Sequence, residues 1–180
     1  MPDRRTHRGP HPEDAVLFAP AAVGALRAAA SDLGWLLDRG YAPQSSLKLV
    51  GDRYELAARQ RTGVARSVCS SEQAAGRRAR CVEPETVKGR TVWLDGYNVL
   101  TTVEAALAGA VLLAASDGTL RDMASMHGSY RKVAETRPAL GHIGEVVDQL
   151  GPSEVRWLLD RPVSNSGRLK RIVEEAAAEH

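Results

Sequence analysis

The chain has 180 residues, 43% of them hydrophobic, and a formal net charge of +2, which suits one substantial domain or one domain with a small appendage. There is no apolar run of about 18 residues, which excludes a membrane helix, and the opening MPDRRTHRGPHPED lacks the apolar stretch of a signal peptide. Two cysteines, Cys69 and Cys81, make neither a disulfide framework nor a four-cysteine metal site, so a reduced, cytoplasmic protein with no membrane partner is expected.

Residues 1–20 read as a disordered leader. Val23, Leu26, Ala30, Leu33 and Leu37 recur at helical spacing and predict a helix over 21–38, stopped by Gly40. YAPQSS reads as a loop, with Ser46 as a cap, and Gly51 reads as a break. Asp52, with Glu55 three residues on, is a plausible N-cap for a second helix to about Val68. Arg59 and Arg66, seven apart, share its outer face. Residues 70–90 hold no sustained period and read as an arm or linker carrying the cluster Arg77-Arg78-Arg80. Residues 1–90 carry 15 Lys+Arg against 10 Asp+Glu, and residues 91–180 carry 9 against 12. A basic half joined to an acidic half fits a polyanion-binding part beside a metal- or substrate-handling part, or an ordinary solvated helix face.

The character changes at residue 91. TVWLD, 91–95, is a short apolar run that fits a strand buried on both faces. Thr101 with Glu104 has the spacing of a capping box opening a helix to Leu107 or Ala108. AVLLAASDGTLRDM, 110–123, holds two strand-like segments about Asp117-Gly118, a hairpin signal. SYRKVAET reads as a short helix ended by Pro138. Leu140, Ile143, Val147 and Leu150 predict an amphipathic helix closed by Gly151-Pro152. VRWLLD, 155–160, is a second buried strand, RPVSNSG a loop, and 168–178 the last helix. The domains expected are therefore a leader (1–20), a basic helical module (21–80), a linker (81–90) and an α/β domain (91–180).

Strands alternating with helices imply a mostly parallel sheet, in which ligands bind outside the carboxyl ends of the strands. Asp95 and Asp160 each end a predicted strand. As parallel neighbours they would share one crevice, and two close carboxylates favour a shared proton or a divalent cation. Mg²⁺ takes one or two protein carboxylates and fills its shell with water and phosphate oxygens. Asn98 would hold water or a phosphate oxygen. The plain alternative is a turn after a strand. Ser164, Asn165, Ser166 and Arg168, at a predicted helix N-terminus, would grip a phosphate or only cap the helix. His127 in MHGSYR is a further phosphate contact or a structural histidine.

The stretches RGYAPQSSLKLVGDRYELAARQR (39–61), LDGYNVL (94–100), DGTLRDMASMHGSYRKVAET (117–136) and LLDRPVSNSGRL (158–169) resemble a prokaryotic family, domain of unknown function 434, with a C-terminal half like the NYN branch of PIN-like nucleases. The resemblance implies a PIN-like α/β sheet flanked by helices and a ribonuclease-like activity on RNA that depends on Mg²⁺ or Mn²⁺. It implies Asp95 and Asp160 as metal-holding acids, with Asp122 or Glu104 as the intermediate acid. Arg59, Arg66, Arg77 and Arg78 would track the RNA backbone. PIN-like domains continue with a further strand where this chain reaches the helix IVEEAAAEH, so the sheet is expected to lack its last strand. A homo-oligomer in which a second chain supplies it is one way to complete the sheet. The alternative function is a non-catalytic RNA- or nucleotide-binding protein on the same fold.

Overall fold

The computed structural model describes residues 7–124, 130–160 and 166–178. Its order is α1 (Asp14–Leu17), α2 (Pro20–Asp38), α3 (Pro43–Arg53), α4 (Ala58–Ser67), α5 (Ser71–Arg78), a 3₁₀ turn at Pro84–Val87, β1 (Thr91–Asp95), α6 (Gly96–Leu107), β2 (Leu112–Ala114), β3 (Leu120–Asp122), α7 (Thr136–Leu150), β4 (Glu154–Leu158) and α8 (Ser166–Ala177). No helix among the described residues is long and apolar enough to cross a membrane. The chain forms two compact units. One takes residues 10–81 and 111–123, and the other takes 1–9, 82–110 and 124–180.

The first unit is helical. Ala29, Leu33, Val50, Leu56 and Val64 make its core, contributed by α2, α3, α4 and the turn between the last two. α2 agrees with the periodic prediction. The expected helix from Asp52 does not form as such. Instead Pro43 opens α3 from its first turn, where a missing N–H costs nothing, and α3 runs through Gly51 to Arg53. Gly51 does not break the helix. A side chain there would sit 2.7 Å from the Arg61 guanidinium, so glycine admits that group against the helix. Arg61 donates to the Leu56 carbonyl and to Asp52, so Asp52 serves as its partner rather than as an N-cap. The aperiodic 70–80 stretch contains α5, capped by Ser70, whose hydroxyl accepts from the Gln73 amide.

The β2–β3 hairpin is antiparallel, with Leu112 opposite Asp122 and Ala114 opposite Leu120. It belongs to the helical unit and not to the 91–180 domain that contains it in sequence. Asp117, at its turn, is buried. It accepts from Thr119, from Arg77 at 2.7 Å and from Arg121 at 3.2 Å. These donors hold its carboxyl well below the usual range, Thr119 contributing most.

The second unit is α/β. β1 and β4 pair in parallel, Thr91 with Glu154 through Asp95 with Leu158. Among the described residues, the mostly parallel sheet of the sequence analysis is two strands wide. A pair that small depends on packing. Leu94 and Trp157 turn one face toward a core of Tyr97, Leu100, Tyr130, Leu140, Ile143 and Leu169. The other face is open, contrary to the expectation of strands buried on both faces. Trp93 is 56% exposed, and the Arg156 guanidinium lies 4.8 Å from its ring centre. Pro138 sits in the first turn of α7 rather than ending a helix, and residues 130–135 are not helical.

Glu104 is fully buried in this unit, which removes it from the expected capping box. α6 has already begun at Gly96, and the Thr101 hydroxyl donates back to the Tyr97 carbonyl. Arg8 reaches Glu104 Oε2 at 2.9 Å from both Nε and Nη2. Tyr130 and Thr136 donate to Oε1 at 2.7 and 2.6 Å. Arg8 is only 6% exposed, so the leader expected at 1–20 is anchored at this point. Residues 14–17 and 20 onward are already helical.

Two outcomes are expected. Arg8→Met strands a buried carboxylate and costs about 3–5 kcal/mol in chemical unfolding, while adding Glu104→Leu recovers much of the loss. Additive losses in that double-mutant cycle would contradict the pairing. Asp117 has a folded pKa below its ordinary 3.8, so its stabilisation is complete above that value and is lost as pH falls through the folded pKa. Asp117→Asn therefore lowers Tm at neutral pH, and its gap from wild type narrows steadily as pH drops below 3.8.

Candidate functional site at the strand ends

The carboxyl end of the parallel pair is where β1 stops and α6 starts with no loop between them. Asp95, the last strand residue, is also the N-cap of α6. Its Oδ2 accepts from the Asn98 side-chain amide at 2.7 Å, and its Oδ1 lies 3.5 Å from the Asn98 backbone N–H. The DGYN spacing explains this geometry: an N-cap oxygen reaches the amide of the third helical residue. Gly96 is required by the packing of α6 against β4. A Cβ there would lie 2.9 Å from the Leu158 carbonyl oxygen and 3.0 Å from the Trp157 ring, so only glycine lets α6 leave directly over β4.

Asp95 lies opposite Leu158, and Asp160 follows two residues later. The structure therefore brings the ends carrying Asp95 and Asp160 together, as parallel neighbours. β4 stops at Leu158, so Asp160 stands beyond the strand rather than closing it. Both aspartates are exposed, and neither pairs with a positively charged side chain among the described residues. Tyr97 is 4% exposed on the first turn of α6. Burial, and then the negative charge of Asp160, push its phenol above its ordinary value. Its hydroxyl has no hydrogen-bond partner among the described residues. Sequence reasoning passed over Tyr97, although its place between Gly96 and Asn98 in the quoted motif was the available signal.

The other expected residues separate. Asp122 lies in the helical unit, where Arg66 donates to its carbonyl at 2.8 Å and approaches its carboxylate at 3.6 Å. Glu104 is enclosed by Arg8, Tyr130 and Thr136. No group of three or more His, Cys, Asp or Glu able to hold a metal occurs among the described residues. The four arginines expected on one nucleic-acid face each have an internal partner. Arg59 pairs with buried Asp14 through both its Nε and Nη2, Arg66 with Asp122, Arg77 with Asp117, and Arg78 with the Ser116 carbonyl. Of the phosphate residues, Ser166 opens α8 and Arg168 is exposed on its first turn, while His127, Ser164 and Asn165 lie outside the described residues.

The family described as "Domain of unknown function (DUF5616)" matches residues 84–180, more than half of the chain. The chain belongs to the DUF5616 family. "Protein of unknown function (DUF434)" matches residues 25–80, so the resemblance to family 434 holds for the helical segment. The motifs LDGYNVL, DGTLRDMASMHGSYRKVAET and LLDRPVSNSGRL fall within the DUF5616 match. The "Uncharacterized protein MJ0935" of Methanocaldococcus jannaschii is 27% identical over 147 residues, covering 82% of this chain and 70% of that protein. No solved structure matches the chain.

In the DUF5616 domain, Asp160→Asn is expected to lower the Tyr97 pKa while leaving it above 10.0, because burial is the larger cause of its rise. NMR titration of the tyrosine ring signals measures it. An unchanged Tyr97 would mean that Asp160 does not face it.

Proposed function

We propose that the DUF5616 domain is a PIN-like, divalent-metal-dependent ribonuclease acting on RNA phosphodiesters at the carboxyl ends of β1 and β4. The observation that carries the proposal is the pair Asp95 and Asp160: two carboxylates at neighbouring parallel strand ends with no cation paired to them among the described residues. Carboxylates left in that state suit a hard cation with oxygen ligands. Asp95, Asp160 and the Asn98 carbonyl oxygen form the donor set that would hold Mg²⁺ or Mn²⁺. When bound, the ion supplies Lewis-acid stabilisation to the phosphodiester.

The protein's own contribution is positional. The Asn98 amide fixes the Asp95 carboxylate through Oδ2, and the α6 N-terminus adds a favourable dipole for negative charge. Tyr97 keeps its proton at neutral pH and offers an O–H donor beside Asp160. A second reading, RNA binding without cleavage, has an observation of its own: Glu104 and Asp122, the candidate third acids, are held by Arg8 and Arg66.

Labelled RNA incubated with Mn²⁺ or Mg²⁺ separates these readings. Wild type is expected to cleave, Asp95→Asn to lose cleavage, and Asn98→Ala, which frees the carboxylate it positions, to lose about 10–100-fold. Equal cleavage by wild type and Asp95→Asn sinks the assignment. Salt-sensitive RNA binding with no cleavage by wild type selects the second reading.

A further inference from the structure

A cavity of about 230 Å³ in the α/β unit is lined by Tyr130, Arg131, Lys132, Arg168, Leu169 and Ile172. Three of these six are cations and none is an acid. Several cations elsewhere in the protein are neutralised by acids: Arg8 has Glu104, Arg59 has Asp14, Arg77 has Asp117, and Arg137 has Glu175. The side chains of Arg131, Lys132 and Arg168 have no ion-pair or hydrogen-bond partner among the described residues. Three like charges converging on one cavity repel one another, a cost that an anion would remove.

The cavity stands on fixed ground. Tyr130 is 2% exposed, its hydroxyl held by Glu104 and Thr136. Arg8 donates to the Arg131 carbonyl at 3.2 Å, which pins the backbone that presents Arg131 and Lys132. Leu169 and Ile172, both buried, supply an apolar wall from α8 that strengthens charge interactions beside it. The volume falls below the ~300–1,000 Å³ of pockets that enclose a whole drug-sized ligand, so it admits a small headgroup.

We propose that this cavity binds a terminal phosphate monoester, the 5′-phosphate of an RNA end or of a nucleotide. Three cations suit an oxyanion carrying about −1.5 to −2 at neutral pH better than the single charge of a diester. Two guanidinium forks and one ammonium match its three terminal oxygens. Within the same unit, the Tyr130 ring lies 5.8 Å from that of Tyr97, which feels Asp160. An RNA end held here would therefore lie in the same unit as the strand-end acids. The RNA source rests on the function proposed above, whereas the phosphate chemistry does not.

The test uses the full chain in EDTA, so that cleavage does not interfere. Fluorescence anisotropy compares a short 5′-phosphorylated RNA with its 5′-hydroxyl form, and calorimetry measures inorganic phosphate and a nucleoside 5′-monophosphate. The 5′-phosphorylated RNA is expected to bind about tenfold more tightly, to be displaced by phosphate, and to lose that advantage in Arg131→Gln, Lys132→Gln and Arg168→Gln. Lys170→Gln, a cation on the same helix paired with Glu174, is expected to leave the preference intact. Equal affinity for the two RNA forms with no phosphate binding overturns the proposal, as does an equal loss in Lys170→Gln. If phosphate and the monophosphate bind and the cavity variants abolish it, while neither RNA binds, the cavity stands and the RNA reading fails. Metal-dependent cleavage without phosphate binding has the opposite meaning.

Discussion

The α/β unit is organised around a single enclosed carboxylate. Glu104 has no exposed surface, and an ionised group in that position is tolerated only if its lone pairs are answered. Arg8 answers Oε2, and Tyr130 with Thr136 answer Oε1. Those partners come from 96, 26 and 32 residues away, so one side chain fixes the N-terminal segment, the later part of α6, the non-helical 130–135 stretch and the start of α7. A buried pair is weak evidence of net stability, because desolvation offsets the attraction. Its stronger consequence is register. A one-turn shift of α6 would move Glu104 away from all three donors and leave a bare charge inside the core.

The helical unit follows the same logic at lower stakes. Its basic excess looks, in composition, like a surface for polyanions. In the fold, Arg59 holds Asp14 of α1, Arg66 holds the end of β3, and Arg77 with Arg121 holds Asp117 at the hairpin turn. Each of the three pairs made by Arg59, Arg66 and Arg77 ties a short element, too small to be stable alone, to a helix. The arginines therefore substitute for the apolar area that a four-residue helix and a three-residue strand pair cannot bury.

What was legible in the sequence was local. TVWLD ending at Asp95, the Asp117-Gly118 hairpin and the amphipathic run of α7 are set by neighbours within one element, and the structure has each of them. What was not legible depends on distance. Thr101-x-x-Glu104 carries the spacing of a capping box, and that spacing alone does not reveal that Asp95 has already capped the helix. Arg8 has no local period, and its role is set by an acid 96 positions on. Gly51 reads as a breaker until Arg61 is seen lying against it. The site follows the same division. Asp95 was readable as a strand end, whereas its capping of α6 and the place of Asp122 in the helical unit were not.

Charge compensation then distinguishes structure from site. Wherever a charged side chain does structural work here, it has an opposite partner within hydrogen-bond reach, and the sequence separation between the two is often large. Two clusters in the α/β unit stand out among the described residues, in opposite senses. Asp95 and Asp160 are anions with no cation paired to them, and Arg131, Lys132 and Arg168 are cations with no anion paired to them. Had these two sets been free to neutralise each other, a fold under selection for stability alone would gain by pairing them. They stand on different supports, the first at the ends of β1 and β4, the second beside the Glu104 network and on α8. Tyr97 and Tyr130, one near each support, have ring centres 5.8 Å apart. On the function proposed above, an acid pair and a basic cavity within one compact unit would serve the two needs of a phosphate-bearing ligand: carboxylates to hold a metal at one phosphate and cations at another.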